Sequence, residues 1–255
     1  MRNDIGIVIQ GKYNDTFLKS LDHYKTFGQV VLSCYIDDKV PDDLGIEVVR
    51  CPDIISGYND MNIYRQCNTA FNGLEKLKTE FAIKVRTDEA WNLSAFAYLM
   101  LCKQYAYTTC NVHFTNDPLH PSDHVIGTET AMLLETFRIA RKVSIAGKSN
   151  SSQETLSPLF GMPQLRFGPE QVLFTSFLKS NYNHWPRIRD LNEEYLDKSR
   201  MNNLMYIFSQ CVNIDLMQPY IWTQNYDPRR FFETTETLYD SHNPSIKNIS
   251  EYNCK

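Results

Sequence analysis

Two apolar runs near the start of the chain constrain the fold most. Residues 5–9 and 29–35 are apolar without alternation, and residues 16–27 between them have the three- and four-residue spacing of a helix. Strands that are apolar on both sides are typical of a sheet covered by helices on both faces. A helix between two such strands favours a parallel pair, and we expect its connection to be right-handed. With a third apolar run at residues 46–50, the pattern predicts a Rossmann-type, mainly parallel sheet.

A fourth predicted strand, residues 81–86, ends at two adjacent carboxylates, Asp88 and Glu89. Open α/β sheets bind their ligands at this carboxyl edge, and oxygen ligands of this kind suit Mn²⁺ or Mg²⁺. The alternative is a solvated acidic turn. Lys84 and Arg86, on the same strand, are either ligands for phosphate groups or counter-ions of the two acids.

A predicted helix over residues 59–78 carries two stripes side by side. The first is apolar and predicts the face that packs on the sheet: Ile63, Cys67, Ala70, Leu74 and Leu77. The second is mostly polar: Asn62, Arg65, Gln66, Thr69 and Gly73. Arginine suits phosphate, and asparagine or glutamine suits the edge of a base or sugar, so this stripe predicts a cleft edge. A solvated polar flank is the other interpretation.

Three further residues are candidates for chemistry. Asp123 and His124 lie in a loop before a short apolar run, and Glu170 follows Pro169 at a predicted helix start. Asp123 or His124 could complete a metal shell or meet the substrate, and Glu170 could deprotonate an acceptor hydroxyl. The alternatives are a structural histidine and an acid that stabilises the helix dipole.

Other segments complete the predicted order of elements. The spacing predicts helices over 93–105 and 129–141 and strands over 111–115 and 125–128. Residues 142–167 lack periodicity and predict a loop over a site, and residues 204–212 fit either a strand or a helix.

Composition excludes several classes of function. The net charge is −4 and no long basic run occurs, which argues against a nucleic-acid partner. No stretch approaches the roughly 20 apolar residues of a transmembrane helix, and the apolar run at the N-terminus is too short for a signal peptide. The seven cysteines show no zinc spacing. We therefore expect a cytoplasmic protein with reduced thiols.

Six weak motifs in one order carry a resemblance to a known family. They are Ile7-Val-Ile-Gln-Gly11, Val31-Leu-Ser33, Asn62-Ile-Tyr-Arg-Gln66 with Gly73-Leu74, Ile83-Lys-Val-Arg-Thr-Asp-Glu89, Ser122-Asp-His124 with Gly127, and Pro169-Glu-Gln171. Over residues 5–180 the chain resembles the WavE lipopolysaccharide-synthesis family, whose members are regarded as GT-A-type glycosyltransferases. The resemblance implies a GT-A-like, Rossmann-type three-layer sandwich in a single domain. We expect this domain over residues 1–200, and a C-terminal extension over 201–255 packed on it.

The resemblance also implies roles for the candidate residues. Gln10 and Gly11 would lie near the base or ribose, and Asn62, Arg65 and Gln66 would line the donor site, which Lys84, Arg86 and His124 would complete. Asp88 would hold Mn²⁺ or Mg²⁺ with help from Glu89, although Thr87-Asp88-Glu89 departs from the usual Asp-x-Asp motif. Asp123 or Glu170 would act as the base.

The implied activity is transfer of a sugar from a nucleotide-sugar donor to a hydroxyl of a glycan acceptor. Two other functions remain open at this stage. One is a non-catalytic nucleotide-sugar-binding module, and the other is a metal-dependent nucleotidyltransferase or phosphohydrolase, which would need further carboxylates converging on Asp88.

Overall fold

The computed structural model describes residues 4–54, 62–102, 107–110, 121–146, 169–181, 212–214 and 221–222. The described strands are β1 Ile5–Gln10, β2 Val30–Tyr35, β3 Glu47–Cys51, β4 Phe81–Arg86, β5 Glu89–Ala90, β6 Tyr107–Thr109, β7 Ile126–Glu129, β8 Val212–Ile214 and β9 Ile221–Trp222. The described α-helices are α1 Leu18–Lys25, α2 Ile63–Leu74, α3 Ser94–Cys102, α4 Thr130–Ala146 and α5 Pro169–Asn181.

Seven of the described strands form one sheet in the order β3-β2-β1-β4-β7-β6-β8. The pairs β2–β3, β1–β2, β1–β4 and β6–β8 are parallel, and only the pairs made by β7 are antiparallel. In β1 and β4, the register places Gln10 beside Arg86. The carboxyl ends of these two central strands therefore lie next to each other.

Helices cover both faces of the sheet. On one face, α2, α4 and α5 pack on side chains such as Val8 and Ala82. On the other face, α1 and α3 pack on the alternate residues of the same strands, among them Ile7 and Ile83. The predicted Rossmann-type three-layer sandwich with a mainly parallel central sheet is confirmed.

Several element boundaries differ from the predictions. Helix α2 begins only after Asn62, whose φ of 55° is left-handed and cannot continue a helix, and it ends at Leu74. The helix predicted over residues 16–27 is a 3-10 turn, Asp15–Phe17, followed by α1. Helix α4 runs on to Ala146, into the stretch predicted as a loop. Strand β6 was not predicted, because three residues are too few to show a period.

Some predictions fall on residues that the structure does not describe. The predicted strand over 111–115 and residues 147–167 of the predicted loop lie outside the described residues, as does all of 204–212 except its last residue. The predicted domain boundary at residue 200 also lies outside them and stays a prediction. Beyond that boundary, β8 pairs with β6 and β9 pairs with β5.

Within the described part of the chain, we find no helix with both the length and the apolar character needed to cross a bilayer. The cytoplasmic location stays a prediction. Among the described cysteines, Cys34, Cys51, Cys67 and Cys110 are buried free thiols, and Cys102 is an exposed one.

Candidate functional site

A cavity of about 640 Å³ opens at the carboxyl ends of β1 and β4. Strands β2 and β3, which follow β1 in the chain, lie on one side of the β1–β4 pair. Strands β7, β6 and β8, which come after β4 in the chain, lie on its other side. Connections that diverge in this way leave a crevice between neighbouring strand ends, which is where open α/β sheets bind ligands. Ten of the twelve predicted site residues line this cavity, and the exceptions are Lys84 and Glu89.

The loop after β1 forms one wall. Gly11 has a φ of +126°, a conformation that favours glycine, and a Cβ there would lie 3.1 Å from Thr87 Oγ1. The Thr87 hydroxyl donates to the Lys12 carbonyl at 2.6 Å, and the Thr87 N–H donates to the Gln10 carbonyl at 3.1 Å. These bonds join the two strand ends, so the loops after β1 and β4 form one polar surface.

The start of α2 forms a second wall, where Asn62, Arg65 and Gln66 of the predicted polar stripe line the cavity. Arg65 donates to both oxygens of Asp53, at 2.7 and 2.6 Å, and its guanidinium lies 4.8 Å from the centre of the Tyr35 ring. Burial alone would lower the pKa of Arg65, but the hydrogen bond and charge of Asp53, together with the interaction with Tyr35, outweigh it and raise the pKa. A fixed cation therefore lies beside an aromatic ring at the cavity edge.

The lower part of the same stripe does not reach the cavity. Thr69 is fully buried and donates to Gln10 Oε1 at 2.8 Å, so it orients the Gln10 amide. Gly73 packs on the sheet, where a Cβ would lie 2.6 Å from Val8 Cγ1. The stripe is thus a ligand-facing surface at its first turn and a packing surface beyond it.

Arg86 and Asp88 form an ion pair at the floor of the cavity. Arg86 Nε donates to Asp88 Oδ1 at 2.9 Å and Nη2 donates to Oδ2 at 2.7 Å, with the two side chains 31% and 27% exposed. Burial would raise the pKa of Asp88, but the hydrogen bond and the charge of Arg86, with smaller contributions from the Asp88 backbone and His124, together outweigh it and lower the pKa. Asp88 is therefore an ionised carboxylate whose two oxygens already accept bonds from a cation.

Glu89 is turned into the protein and does not line the cavity. Its side chain is only 3% exposed. Oε2 accepts from Trp91 Nε1 at 2.9 Å, and Oε1 is bonded to His124 Nδ1 and lies 3.5 Å from Arg86 Nε. Burial would lower the pKa of His124, but the charge of Glu89 and its hydrogen bond together outweigh it and raise the pKa. Glu89 and His124 thus form a buried pair, with His124 at the cavity wall.

Lys84 lies beneath the cavity and not in it. It is fully buried, and its Nζ donates to the Asp123 carbonyl, while Gln66 donates to the Asp123 carboxylate. Burial lowers the pKa of Lys84. Burial would raise the pKa of Asp123, but the charges of Lys84, His124 and Arg86 and the hydrogen bond from Gln66 together hold it well below its usual range. The prediction that Lys84 binds the nucleotide sugar is therefore corrected: its side chain anchors the loop that carries Asp123.

Asp123 and His124 are held in place by a buried framework. The Thr109 hydroxyl donates to the Ser122 carbonyl at 2.8 Å, and the His124 N–H donates to Ser122 Oγ at 3.2 Å. Glu170 reaches the same cavity from the first turn of α5, as its position after Pro169 predicted. The structure thus brings together Asp123, His124 and Glu170 from two distant segments.

Sequence reasoning missed several lining residues: Lys12, Tyr13, Asn14, Tyr35, Thr87 and Pro169. Lys12 is the most informative, because it adds a cation next to Gly11. The signal for it was its place directly after the strand-ending glycine, since the loop after the first strand of such a sheet borders the ligand crevice.

The carboxylates Asp88 and Glu89 are a poor fit for the predicted Mn²⁺ or Mg²⁺. A hard cation needs carboxylate oxygens that face it. Asp88 binds Arg86 through both oxygens, and Glu89 faces the protein interior. In the described part of the chain, no three potential ligands of the His, Cys, Asp or Glu type come together as a metal site.

No protein-family model matches the chain, and no curated protein matches it significantly either. Similar solved structures include the apo-form glycosyltransferase GlyE of Streptococcus pneumoniae, at 10% identity and a TM-score of 0.42, over 99% of this chain and 60% of that one. Another is the 2-C-methyl-D-erythritol 4-phosphate cytidylyltransferase of Thermus thermophilus, at 12% identity and a TM-score of 0.39, over 69% of this chain and 98% of that one. A third is the mannosyl-3-phosphoglycerate synthase of Rubrobacter xylanophilus, at 12% identity and a TM-score of 0.38, over 76% of each chain.

At such low identities and TM-scores these likenesses carry no argument about function. The resemblance to the WavE family gains no support from the comparisons. What the chain does must therefore be argued from the cavity itself.

Proposed function

We propose that the chain is a glycosyltransferase that moves a sugar from a nucleoside-diphosphate sugar to a hydroxyl of a glycan acceptor. The observation that carries the proposal is the cavity between the ends of β1 and β4, where cationic and carboxylate side chains face one space. The cations are Lys12, Arg65 and Arg86. Such groups suit the two phosphates of a donor, and a carboxylate across the cavity suits activation of a hydroxyl.

In this proposal the first loop and α2 hold the nucleotide. Gly11 allows the chain to approach the ligand closely, and Asn62 and Gln66 offer amide groups to a base or a sugar edge. The guanidinium of Arg65, fixed by Asp53 and the Tyr35 ring, suits a phosphate at the cavity edge.

The acceptor would bind near Glu170 and Asp123. Its hydroxyl oxygen attacks the anomeric carbon, the bond from that carbon to the diphosphate oxygen breaks, and the hydroxyl proton passes to a carboxylate. Asp123 accepts a bond from Gln66, and its pKa is held well below the usual range, so it is a poor base. We therefore assign the proton transfer to Glu170.

The WavE-like motifs add a specific form of this proposal, namely a role in the synthesis of a surface polysaccharide. The competing hypothesis of a metal-dependent nucleotidyltransferase or phosphohydrolase needs carboxylates that converge on one or two metal ions. In the described ranges, the cluster of ligands that such an enzyme needs is not found.

A thermal-shift panel tests the proposal most directly. The full chain is heated with UDP, GDP, CMP and their sugars, with and without Mn²⁺, and we expect at least one donor to raise the melting temperature. Absence of a shift with every member of the panel would overturn the proposal.

A second measurement separates an enzyme from a binding module. We expect Glu170→Gln to keep donor binding within about threefold but to lower the rate of sugar transfer or donor hydrolysis by about 100-fold or more. Glu135→Gln, an exposed acid on α4 paired with Arg138, is the matched control and should change neither. If pure wild-type protein binds donor but neither hydrolyses nor transfers it, the binding-module alternative is correct.

A further inference from the structure

The two acids that a metal would need are both bound to cations of the protein. We propose that Arg86, oriented by Asp88, supplies the positive charge that receives the donor diphosphate in place of a divalent cation. This inference rests on the proposed function, because it concerns how the same cavity binds its nucleotide.

The geometry of the Arg86 side chain is the first argument. Its Nε and Nη2 groups are used by Asp88, at 2.9 and 2.7 Å. A guanidinium carries five N–H donors, and the Nη1 group is not part of the bond to Asp88. Arg86 lines the cavity and is about one-third exposed. A phosphate oxygen can therefore approach Nη1 while Asp88 holds the guanidinium plane in place.

The place of Glu89 is the second argument. A metal bound between Asp88 and Glu89 requires the Glu89 carboxylate to leave the interior. Glu89 is 2% exposed and accepts a bond from Trp91 at 2.9 Å. Its departure would break the buried pair with His124 and the bond from Trp91. The fold thus commits Glu89 to the core.

The position of Arg86 is the third argument. A divalent cation bound to Asp88 would lie beside the Arg86 guanidinium, which already occupies that carboxylate. A divalent cation and a guanidinium at the same carboxylate repel each other, whereas metal binding is favoured by negatively charged neighbours. A diphosphate in the same place carries the opposite charge and gains from Arg86.

Asp88 is either a metal ligand or the counter-ion of Arg86, and these two roles predict opposite effects of a conservative substitution at Asp88. If Asp88 is a metal ligand, Asp88→Asn abolishes nucleotide binding. If Asp88 is the counter-ion of Arg86, the variant keeps an oxygen for Arg86 and removes a negative charge that opposes the phosphates. We then expect binding that is equal or up to about tenfold tighter. Arg86→Gln should weaken binding by about tenfold or more.

Isothermal titration calorimetry with UDP, GDP, CDP and ADP tests the inference, in EDTA and again in excess Mn²⁺. We expect at least one diphosphate to bind wild-type protein in EDTA, with a Kd that Mn²⁺ changes by less than about threefold. Arg138→Gln, in an exposed ion pair on α4 away from the cavity, is the control and should bind as wild type does.

The possible failures are distinguishable. Binding that requires Mn²⁺ and disappears in Asp88→Asn overturns the inference and leaves the proposed function intact. Failure of all four diphosphates to bind under both conditions overturns the proposed function as well. The Asp88→Asn measurement does not depend on whether Arg86→Gln folds, so one misfolded variant cannot hide the answer.

Discussion

Asp88 and Glu89 are neighbours in sequence and opposites in environment. The Asp88 side chain is 27% exposed, faces the cavity and binds Arg86. Glu89 is 2% exposed, begins β5 and is bonded to His124 and Trp91. Two acids at the end of one strand thus belong to different parts of the molecule, one to the ligand cavity and one to the core.

The difference teaches how a buried charge and a half-exposed charge are used. A buried carboxylate keeps its partners, because water cannot replace them. A half-exposed carboxylate can exchange a partner for a ligand or for water at much lower cost. We therefore expect Glu89 to act on stability and Asp88 to act on binding.

Removal of the buried acid should have the largest effect. Glu89→Ala removes the carboxylate that is bonded to the His124 ring and the Trp91 N–H, and loss of one partner of a buried ion pair costs about 3–5 kcal/mol of unfolding free energy. Urea denaturation measures this loss. Glu135→Ala removes one partner of an exposed pair on α4 and should cost no more than about 1 kcal/mol. Equal losses in the two variants would show that Glu89 is not a core residue.

Removal of one donor to Glu89 should have a smaller effect. Trp91→Phe keeps a large ring in the core but deletes the N–H that donates to Glu89 Oε2 at 2.9 Å. A hydrogen bond to a charged group contributes about 1.5–3 kcal/mol, so we expect a loss of that size in urea denaturation.

A control for the indole variant lies on α3. Tyr98→Phe changes an aromatic side chain that is 72% exposed, and its effect should stay within about 0.5 kcal/mol. If Trp91→Phe is equally mild, the Glu89 carboxylate has another donor of equal strength, and its environment is less different from that of Asp88 than the structure indicates.

The contrast between the two acids could not be predicted from the sequence. Glu89 is buried because of His124, which lies 35 residues later in the chain, and Lys84 is buried against the Asp123 carbonyl, 39 residues later. A local pattern shows which residues alternate along a strand. It does not show which distant loop covers the strand end, because that depends on how the two segments pack.

Features that depend on short-range periodicity were predictable. Apolar runs without alternation predicted β1 and β2 between layers of helices, and two stripes at helical spacing predicted both faces of α2. The Pro169-Glu170 start of α5 also follows from local helix chemistry. Lys12 was missed because a single cation in a loop has no period.

The pH dependence of stability should distinguish the buried pair from an ordinary histidine. Burial would lower the pKa of His124, but Glu89 raises it above the usual value of about 6.5. Arg86 and Asp123 are the other charged groups that act on this ring. The contribution of His124 is therefore complete below about pH 6.5 and is lost as pH rises through its higher folded pKa.

His23 should behave in the opposite way. Burial lowers its pKa, and its Nε2 accepts the Leu93 N–H at 3.0 Å, which requires the neutral ring. Its contribution is complete above about pH 6.5 and is lost as pH falls through its lower folded pKa. Urea denaturation across this pH range, for wild type, His124→Gln and His23→Gln, measures both. The stability difference from wild type should shrink with rising pH for the first variant and grow for the second. If the stability differences of both variants change in the same direction with rising pH, the environment assigned to His124 is wrong.

Removal of the cavity acid should have the smallest effect on stability. Asp88→Ala breaks an ion pair whose side chains are 31% and 27% exposed, and such pairs contribute about 0.2–1 kcal/mol. Arg86 is not left without a counter-ion, because Glu89 Oε1 lies 3.5 Å from its Nε. The urea midpoint of this variant should therefore stay close to that of wild type, far from that of Glu89→Ala. A loss as large as that of Glu89→Ala would mean that Asp88 also supports the fold, and that the two acids do not differ in the way their exposures indicate.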